Sequence, residues 1–139
     1  MKKILILCTG NSCRSQIAHG YFEYFTDGRN VKIYSAGIET HGVNPMAIST
    51  MKSEGIDISD YTSNHINEYL DIDFDFVLTV CDHAQAQCPY FPTTAQLFHH
   101  NFPDPAKAIG TSVEIAQAFS AVSEQIQRYV KKFVAAHQL

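Results

Sequence analysis

The stretch that decides the fold is KKILILCTGNSCRS, residues 2–15. Its first half, Lys2–Leu7, is an uninterrupted apolar run, which is typical of a strand buried on both faces of a parallel sheet. The residues that follow, Cys8–Arg14, are small and polar and predict a turn. We expect Ser15 to cap a helix whose apolar residues share one face and which ends at Asp27-Gly28. The chain therefore begins with a strand, a tight turn and a helix.

Further strands and helices alternate along the rest of the sequence. Strands are predicted at Val31–Ala36, Phe74–Val80 and Gln96–His99. Helices are predicted from Pro45, with Asn44 as cap, to about Glu54, at Ser63–Tyr69, at Asp82–Cys88 as a short helix or turn, and from Val113 to about Ala136. This alternation predicts an α/β fold: one domain over residues 1–139, with a central parallel sheet of about four strands and helices on both faces.

Composition restricts the possible partners. The chain has 139 residues, 45% of them hydrophobic, and a net charge of −4 with histidine neutral. These values fit one folded domain and offer no basic surface for nucleic acid or an anionic membrane. The apolar run at Ile4–Leu7 is too short for a signal peptide, and no run reaches transmembrane length. We expect a cytoplasmic protein, with a monomer as the default state.

The turn between the first strand and the first helix has the features of an oxyanion site. Successive backbone amides at the start of a helix attract an anion, and Arg14 supplies a planar fork for two of its oxygens. We expect the same amides to lower the pKa of Cys8 and hold it as a thiolate. Gly10 would allow close backbone approach, Asn11 would fix the curvature of the turn, and the Ser15 hydroxyl would face the thiolate. The predicted oxyanion-binding residues are Thr9, Gly10, Asn11, Ser12, Cys13, Arg14 and Ser15.

The cysteines are expected to be free thiols at rest. In a chain of this size without a secretion signal, Cys8, Cys13, Cys81 and Cys88 do not predict a disulfide framework, and their spacing does not fit a zinc site. Cys81 at the end of an apolar strand fits core packing, whereas Cys88 lies in a polar tract expected to be exposed. No metal site is predicted, since the adjacent pair His99-His100 would face opposite sides of a strand.

The sequence resembles a known family over nearly its whole length, more weakly after Pro105. The loop Cys8–Ser15, followed by Gln16, resembles the signature of low-molecular-weight protein tyrosine phosphatases. Within that fold the chain most resembles the thioredoxin-coupled arsenate reductases. The tracts that carry this second resemblance are Tyr34–Pro45, Gly55–Ser59 and Asp104–Ala106.

The resemblance implies a relay of three thiols. Cys8 would attack arsenate, Asp104 would protonate the leaving oxygen, and Cys81 would then attack Cys8 and release arsenite. Cys88 would next attack Cys81, and thioredoxin would reduce the final disulfide after the 82–87 segment moves. We expect the pKa of Asp104 to be raised by an apolar loop between two prolines. Phosphate or sulfate would compete with arsenate, and no cofactor would be needed.

Other functions remain open at this point. A phosphatase would need Cys8, Arg14 and Asp104 but not Cys81 or Cys88. The phosphatases usually carry aromatic residues after the Asp-Pro of the acid loop, whereas Ala106-Lys107 follows here. The aromatic residues Tyr69, Tyr90 and Phe91 could form a platform for phosphotyrosine. Packing in the core or in loops is the simpler interpretation. A redox-sensing or arsenic-binding module is a further alternative, as is reduction by glutathione and glutaredoxin.

One position departs from the reductase pattern. His19 stands where the reductases usually have an acidic residue, which in some members helps to hold a potassium ion near the loop. A neutral imidazole is a poor ligand for such a hard cation, so we do not expect potassium to stimulate this protein. From the sequence, His19 is interpreted as a solvent-facing helix residue.

Overall fold

The computed structural model describes residues 1–82, 84 and 94–139. The predicted short helix at Asp82–Cys88 lies mostly outside the described residues, and Cys88, Tyr90 and Phe91 lie wholly outside them. What the sequence predicts for those three residues stays a prediction.

The described strands form one parallel sheet, as predicted. They are β1 (Lys2–Cys8), β2 (Val31–Gly37), β3 (Phe76–Thr79) and β4 (Gln96–His99), in the order β2-β1-β3-β4. β3 is shorter than the predicted Phe74–Val80. Backbone bonds from Asp75 N to Lys3 O (2.9 Å) and from Val80 N to Leu7 O (2.9 Å) continue the pairing with β1 just beyond its ends. The difference therefore concerns the boundaries of the strand, where assignments commonly differ by one or two residues.

The longer helices begin at caps that the sequence partly predicts. They are α1 (Arg14–Phe25), α2 (Pro45–Ser53) and α3 (Ser112–Ala136). Asn44 caps α2 as predicted, because its side chain accepts a hydrogen bond from Met46 N at 2.8 Å. The prediction that Ser15 caps α1 is wrong, since Cys13 occupies the cap position without a side-chain cap bond and Ser15 lies within the first turn. The predicted helix at Ser63–Tyr69 is a 3-10 helix at Ile66–Tyr69, capped by His65.

Apolar residues cover both faces of the sheet. In β1, Ile4 and Ile6 face one side and Leu5 and Leu7 the other, and none is more than 1% exposed. On the first side, the Phe133 ring of α3 contacts rings of α1, β3 and β4: Phe22 at 5.5 Å, Phe76 at 5.8 Å and Phe98 at 4.9 Å. On the second side, Tyr34 of β2 contacts Tyr69 of the 3-10 helix at 5.3 Å. The prediction of helices on both faces is therefore confirmed.

The topology brings three loops together at one edge of the sheet. Because the strands are parallel, the segments that follow β1, β3 and β4 all leave from the carboxyl edge. β1 lies between β2 and β3, so the connections at its carboxyl end run to opposite sides of β1. In open parallel sheets, such a position forms a crevice that binds ligands. Cys8 ends β1 at this edge, and Cys81 and Asp104 lie in the segments that follow β3 and β4.

Gly37, at the end of β2, is required by the close approach of the loop after β1. A Cβ atom there would overlap Glu39 O and would lie 2.7 Å from Asn11 N and 2.8 Å from Thr9 O. These are backbone atoms, which do not move aside as the end of a flexible side chain does.

We predict that Gly37→Ala lowers the free energy of unfolding by about 3 kcal/mol, because the overlap forces the backbone apart. The control is Gly42→Ala, where φ is +76° and no atom lies within 4 Å of an added Cβ. It should cost only about 1 kcal/mol, for the strained φ. Urea unfolding measures both values, and equal losses would contradict the close approach.

Candidate active site

The loop from Cys8 to Cys13 is anchored through its carbonyl groups. Four of these accept hydrogen bonds from the chain that follows β2: Ile38 N to Cys8 O (3.4 Å), Glu39 N to Thr9 O (2.9 Å), His41 N to Gly10 O (3.1 Å) and Asn44 N to Ser12 O (3.0 Å). In a planar trans peptide the N–H points away from the C=O. The amides that share a peptide with these carbonyls, those of Thr9, Gly10, Asn11 and Cys13, therefore point away from the atoms that anchor the loop. This is the arrangement that an oxyanion cradle needs.

Asn11 fixes the curvature of the loop, as the sequence predicts. It is fully buried and has φ of 48°, a left-handed conformation that asparagine tolerates. Its Oδ1 accepts a bond from Asn64 N (2.8 Å), and its Nδ2 donates to Ser15 Oγ (2.8 Å). Its own carbonyl accepts a bond from Gln16 Nε2 (3.0 Å). The bend is therefore held from both sides.

A cleft of about 270 Å³ opens over this loop. It is lined by Cys8, Thr9, Gly10, Ser12, Cys13, Arg14, His41, Asp104 and Ala106. The sequence prediction correctly brings Cys8, Arg14 and Asp104 to one place. Of the predicted loop residues, Asn11 and Ser15 support the cleft from below and do not line it.

His41 is a cleft residue that the sequence interpretation missed. Its ring lies against Gly10, where a Cβ atom would overlap the imidazole, and its Nε2 lies 2.7 Å from Glu39 Oε2. The close approach at Gly10 is thus made by a side chain. His41 follows β2, whose carboxyl end adjoins that of β1, so the rule that pointed to Cys81 and Asp104 would also have found it.

Arg14 is held in place by the segment that follows β4. Its Nη1 donates to Phe102 O at 3.1 Å, and its Nη2 lies 3.6 Å from Asp104 Oδ2. The side chain is 11% exposed and lines the cleft, so its planar fork is pre-oriented for an anion there.

The surroundings of Asp104 differ from the prediction. The flanking prolines suggested an apolar loop, but the carboxylate faces the Arg14 guanidinium and accepts a bond from Ala106 N at 3.0 Å. The residue therefore also begins the short 3-10 helix Pro105–Lys107, as a turn-forming aspartate does. Its position in the cleft and its role in the turn are compatible.

Cys8 and Cys81 are both buried at the loop and are close enough to shift each other's pKa. Cys81 Sγ also lies 3.2 Å from Thr9 Oγ1 and 3.4 Å from Ala84 N. The contact with Cys8 and the bonds from Thr9 and Ala84 lower the pKa of Cys81 to about 5. The same contact, together with burial, raises the pKa of Cys8, although Arg14 opposes this. The prediction of a lowered pKa for Cys8 is wrong for this structure, because the contact with Cys81 and the burial of the thiol outweigh the opposing effect of Arg14.

Cys13, one of the predicted oxyanion-binding residues, packs in the core beside the loop and also forms part of the cleft wall. It is 5% exposed. Burial, with a smaller effect from Asp104, raises its pKa to about 11, so it is a neutral thiol.

His19 is not solvent-facing, contrary to the prediction. Its side chain is 16% exposed, its Nδ1 lies 2.8 Å from Ser35 Oγ, and its ring contacts Tyr61 at 4.6 Å. Burial lowers its pKa to about 4, although Glu23 opposes this. The neutral imidazole therefore links α1 to β2.

The structure also tests other histidines and aromatic residues. No group of three or more metal-binding side chains lies close together within residues 1–82, 84 and 94–139. His99 and His100 have separate surroundings, since His99 bonds to Thr79 and Asp82 whereas the His100 ring contacts Phe102 and Tyr129. Among the described helices, none is long and apolar enough to cross a membrane.

The comparisons with known proteins agree with this geometry. The low molecular weight phosphotyrosine protein phosphatase family matches residues 3–139, and the chain belongs to that family. An arsenate reductase of Halalkalibacterium halodurans is 47% identical over 132 residues, which cover 95% of this chain and 94% of that protein.

Solved structures extend the similarity. An arsenate reductase in the oxidized state superposes with a TM-score of 0.83 at 30% identity, and an arsenate reductase in the phosphate binding state with a TM-score of 0.76 at 30% identity. Each comparison covers 98% of both chains. The predicted fold and the predicted family are therefore confirmed.

The buried state of His19 predicts a pH dependence of stability. Its folded pKa of about 4 is below the ordinary value of 6.5, so the unfolded chain takes up the proton first as the pH falls. The stabilisation is complete above pH 6.5 and is lost toward pH 4. Between pH 7 and pH 5, His19 should account for about 2 kcal/mol of lost unfolding free energy. Urea unfolding of His19→Gln should show a correspondingly smaller loss, and an unchanged pH dependence would contradict the burial argument.

The position of Arg14 in the cleft predicts that changing it alters the affinity of the protein for phosphate. Inorganic phosphate should raise the melting temperature of the protein, because it binds only the folded state. Arg14→Lys should weaken phosphate binding about tenfold or more, since a lysine cannot reproduce the two-pronged contact. Arg128→Lys, on the exposed surface beside Glu124, is the matched control and should bind phosphate normally. Equal affinities in all three proteins would show that the cleft is not the anion site.

Proposed function

We propose that this protein reduces arsenate to arsenite in the cleft over the Cys8 loop. The single observation that carries the proposal is a second buried thiol at the oxyanion loop: Cys81 Sγ lies 3.2 Å from Thr9 Oγ1, and Cys81 and Cys8 shift each other's pKa. Hydrolysis of a phosphate ester needs one nucleophile, whereas reduction by two electrons needs two thiols that can join. The curated relative and the two solved structures named above are arsenate reductases, which supports the same conclusion.

The first step joins Cys8 to arsenic. Cys8 transfers its proton to Cys81 within their hydrogen bond, and the resulting thiolate attacks the arsenic atom held by the loop amides and Arg14. An S–As bond forms, an As–O bond breaks, and the oxygen leaves as water with a proton supplied by Asp104. Arsenic remains in its pentavalent state at this point.

The second step is the reduction. Cys81 passes its proton to an oxygen of the arsenic adduct, and its thiolate, stabilised by Thr9 and Ala84, attacks Cys8 Sγ while the electron pair of the S–As bond passes to arsenic. Arsenic becomes trivalent, arsenite leaves, and a Cys8–Cys81 disulfide forms. One arsenate and two thiols thus give one arsenite, one disulfide and one water.

The third step involves Cys88, which lies outside the described residues and is proposed from the sequence. Cys88 attacks Cys81, Cys8 leaves as a thiolate, and the disulfide becomes Cys81–Cys88. Cys81 is 3% exposed beside Cys8, so a disulfide at that position is shielded from an external reductant. Transfer to Cys88 would present it to the partner that we propose, thioredoxin.

The wider setting follows from the same chemistry. Residues 1–139 would act as a single domain and as a monomer, and phosphate or sulfate would compete for the cleft. Free thiols at rest require a reducing compartment, so we place the activity in the cytoplasm. The reaction needs no organic cofactor or metal.

Hydrolysis of a phosphate monoester is the alternative activity. The cleft offers Cys8, Arg14 and Asp104, and the family is named for phosphatases. We propose this only as a weak side reaction. The residue that lines the cleft after Asp104 and Pro105 is Ala106, whose small side chain cannot stack against a phosphotyrosine ring.

The test is arsenate-dependent NADPH consumption with thioredoxin and thioredoxin reductase. Wild type should turn over steadily, and Cys8→Ser and Cys81→Ser should form no arsenite. Cys88→Ser should complete about one round, because it cannot pass the disulfide on. Cys13→Ser changes a thiol of the cleft wall that takes no part in the relay, so even if it binds arsenate more weakly it should turn over more than once.

The other outcomes are equally informative. Steady turnover of Cys88→Ser with glutathione and glutaredoxin would show that an external thiol, and not Cys88, carries out the third step. If the wild-type protein cleaved a phosphate monoester but did not reduce arsenate, phosphatase activity would be established instead.

A further inference from the structure

Asp82, the residue that follows Cys81, is held by two polar contacts, and a third contact fixes one of its partners; the chemistry above uses none of them. Asp82 N donates to Asn101 Oδ1 at 3.1 Å, and Asp82 Oδ1 lies 2.8 Å from His99 Nε2. The other ring nitrogen, His99 Nδ1, lies 2.7 Å from Thr79 Oγ1. We call these four residues, Thr79, Asp82, His99 and Asn101, the Asp82 clasp.

The clasp is built on the rigid frame of the sheet. Thr79 is the last residue of β3, is 2% exposed, and fixes the imidazole of His99, the last residue of β4. The Asp82 side chain, by contrast, is 75% exposed. A contact with so solvated a carboxylate contributes little to overall stability. Its main physical effect is local, because it fixes the chain immediately after Cys81.

We propose that His99 and Asn101 are positioning residues that hold Cys81 beside Cys8 through Asp82, and that the Asp82 clasp opens when Cys81 exchanges with Cys88. This inference rests on the proposed thiol relay. The clasp adds no reactant: the same S–S bonds form and break, and arsenate is still the oxidant.

The two exchanges place opposite demands on Cys81. In the first exchange its sulfur must reach Cys8, in the contact that also includes Thr9 and Ala84. In the second it must react with Cys88 instead, and a sulfur held against Cys8 is less free to do so. Contacts that stabilise the first position speed the first exchange and slow the second. A clasp variant should therefore change the two rates in opposite directions, which a general loss of stability would not do.

The first exchange is measured in a Cys88→Ser background by trapping free thiols at timed intervals after arsenate is added. His99→Ala and Asn101→Ala should each form the Cys8–Cys81 disulfide about fivefold more slowly, the value expected for one lost hydrogen bond. Asp82→Asn keeps an oxygen acceptor for His99 and should react close to the background rate. His100→Ala is the matched control, an adjacent histidine whose ring contacts lie elsewhere, and should also be unchanged.

The second exchange is measured in the chain that retains Cys88, by the return of the Cys8 thiol after one round. The same alanine variants should speed it by about twofold or more. Slowing of both exchanges together, no change in either, or an equal effect of His100→Ala would overturn the clasp. Urea unfolding identifies any variant that fails to fold, and Asp82→Asn preserves a folded comparison.

A second oxidant separates this inference from the proposed function. Diamide oxidises neighbouring thiols without arsenate, so the same pairs of rates can be measured with it. Opposite changes with diamide but no reaction with arsenate would keep the clasp and overturn arsenate reduction. Reaction with arsenate at rates that no clasp variant changes would keep the reductase and overturn the clasp.

Discussion

The hydrogen bond between Cys8 and Cys81 is the interaction on which the proposed chemistry depends. Each residue is 3% exposed, so two full negative charges could not coexist there without a large desolvation cost. The pair therefore holds one proton and one charge, which Arg14, Thr9 and Ala84 stabilise at the Cys81 end. Moving the proton across the bond makes Cys8 the nucleophile. Once Cys8 is bonded to arsenic, Cys81 gives its proton to an oxygen of the adduct, and the same closeness places its thiolate for the attack that follows. A single contact thus serves both steps.

The scaffold explains why the two sulfurs meet. Parallel pairing of β1 with β3 brings the ends of these strands to the same edge, although Thr9 and Cys81 are 72 residues apart in sequence. The chain after β2 binds the carbonyl groups of the loop and turns amides toward the cleft, while the segment after β4 fixes Arg14. The reactive groups therefore lie on one rigid frame, which favours a pre-organised anion site.

The local sequence was enough to predict features that depend on neighbouring residues alone, such as a buried strand or the start of a helix. An apolar run such as Lys2–Leu7 buries the side chains on both of its faces only as a central strand of a sheet covered on both sides. Asn44-Pro45 marks the start of a helix by itself, because asparagine caps it and proline fits its first turn. The features that failed depend on distant partners. His19 is buried by Tyr61 and bonded to Ser35, so its position on α1 did not reveal its surroundings. Likewise, the pKa of Cys8 is set by Cys81, and the surroundings of Asp104 by Arg14.

The most direct test of the shared proton is a thiolate titration by absorbance near 240 nm. The protein is Cys13→Ser with Cys88→Ser, so only Cys8 and Cys81 remain. The account predicts that one thiolate appears with a midpoint near the Cys81 pKa of about 5 and that the second is absent at pH 7. Adding Cys8→Ala should raise that midpoint, because it removes the bond that lowers the pKa of Cys81. Two thiolates at pH 7, or a midpoint that Cys8→Ala leaves unchanged, would contradict it.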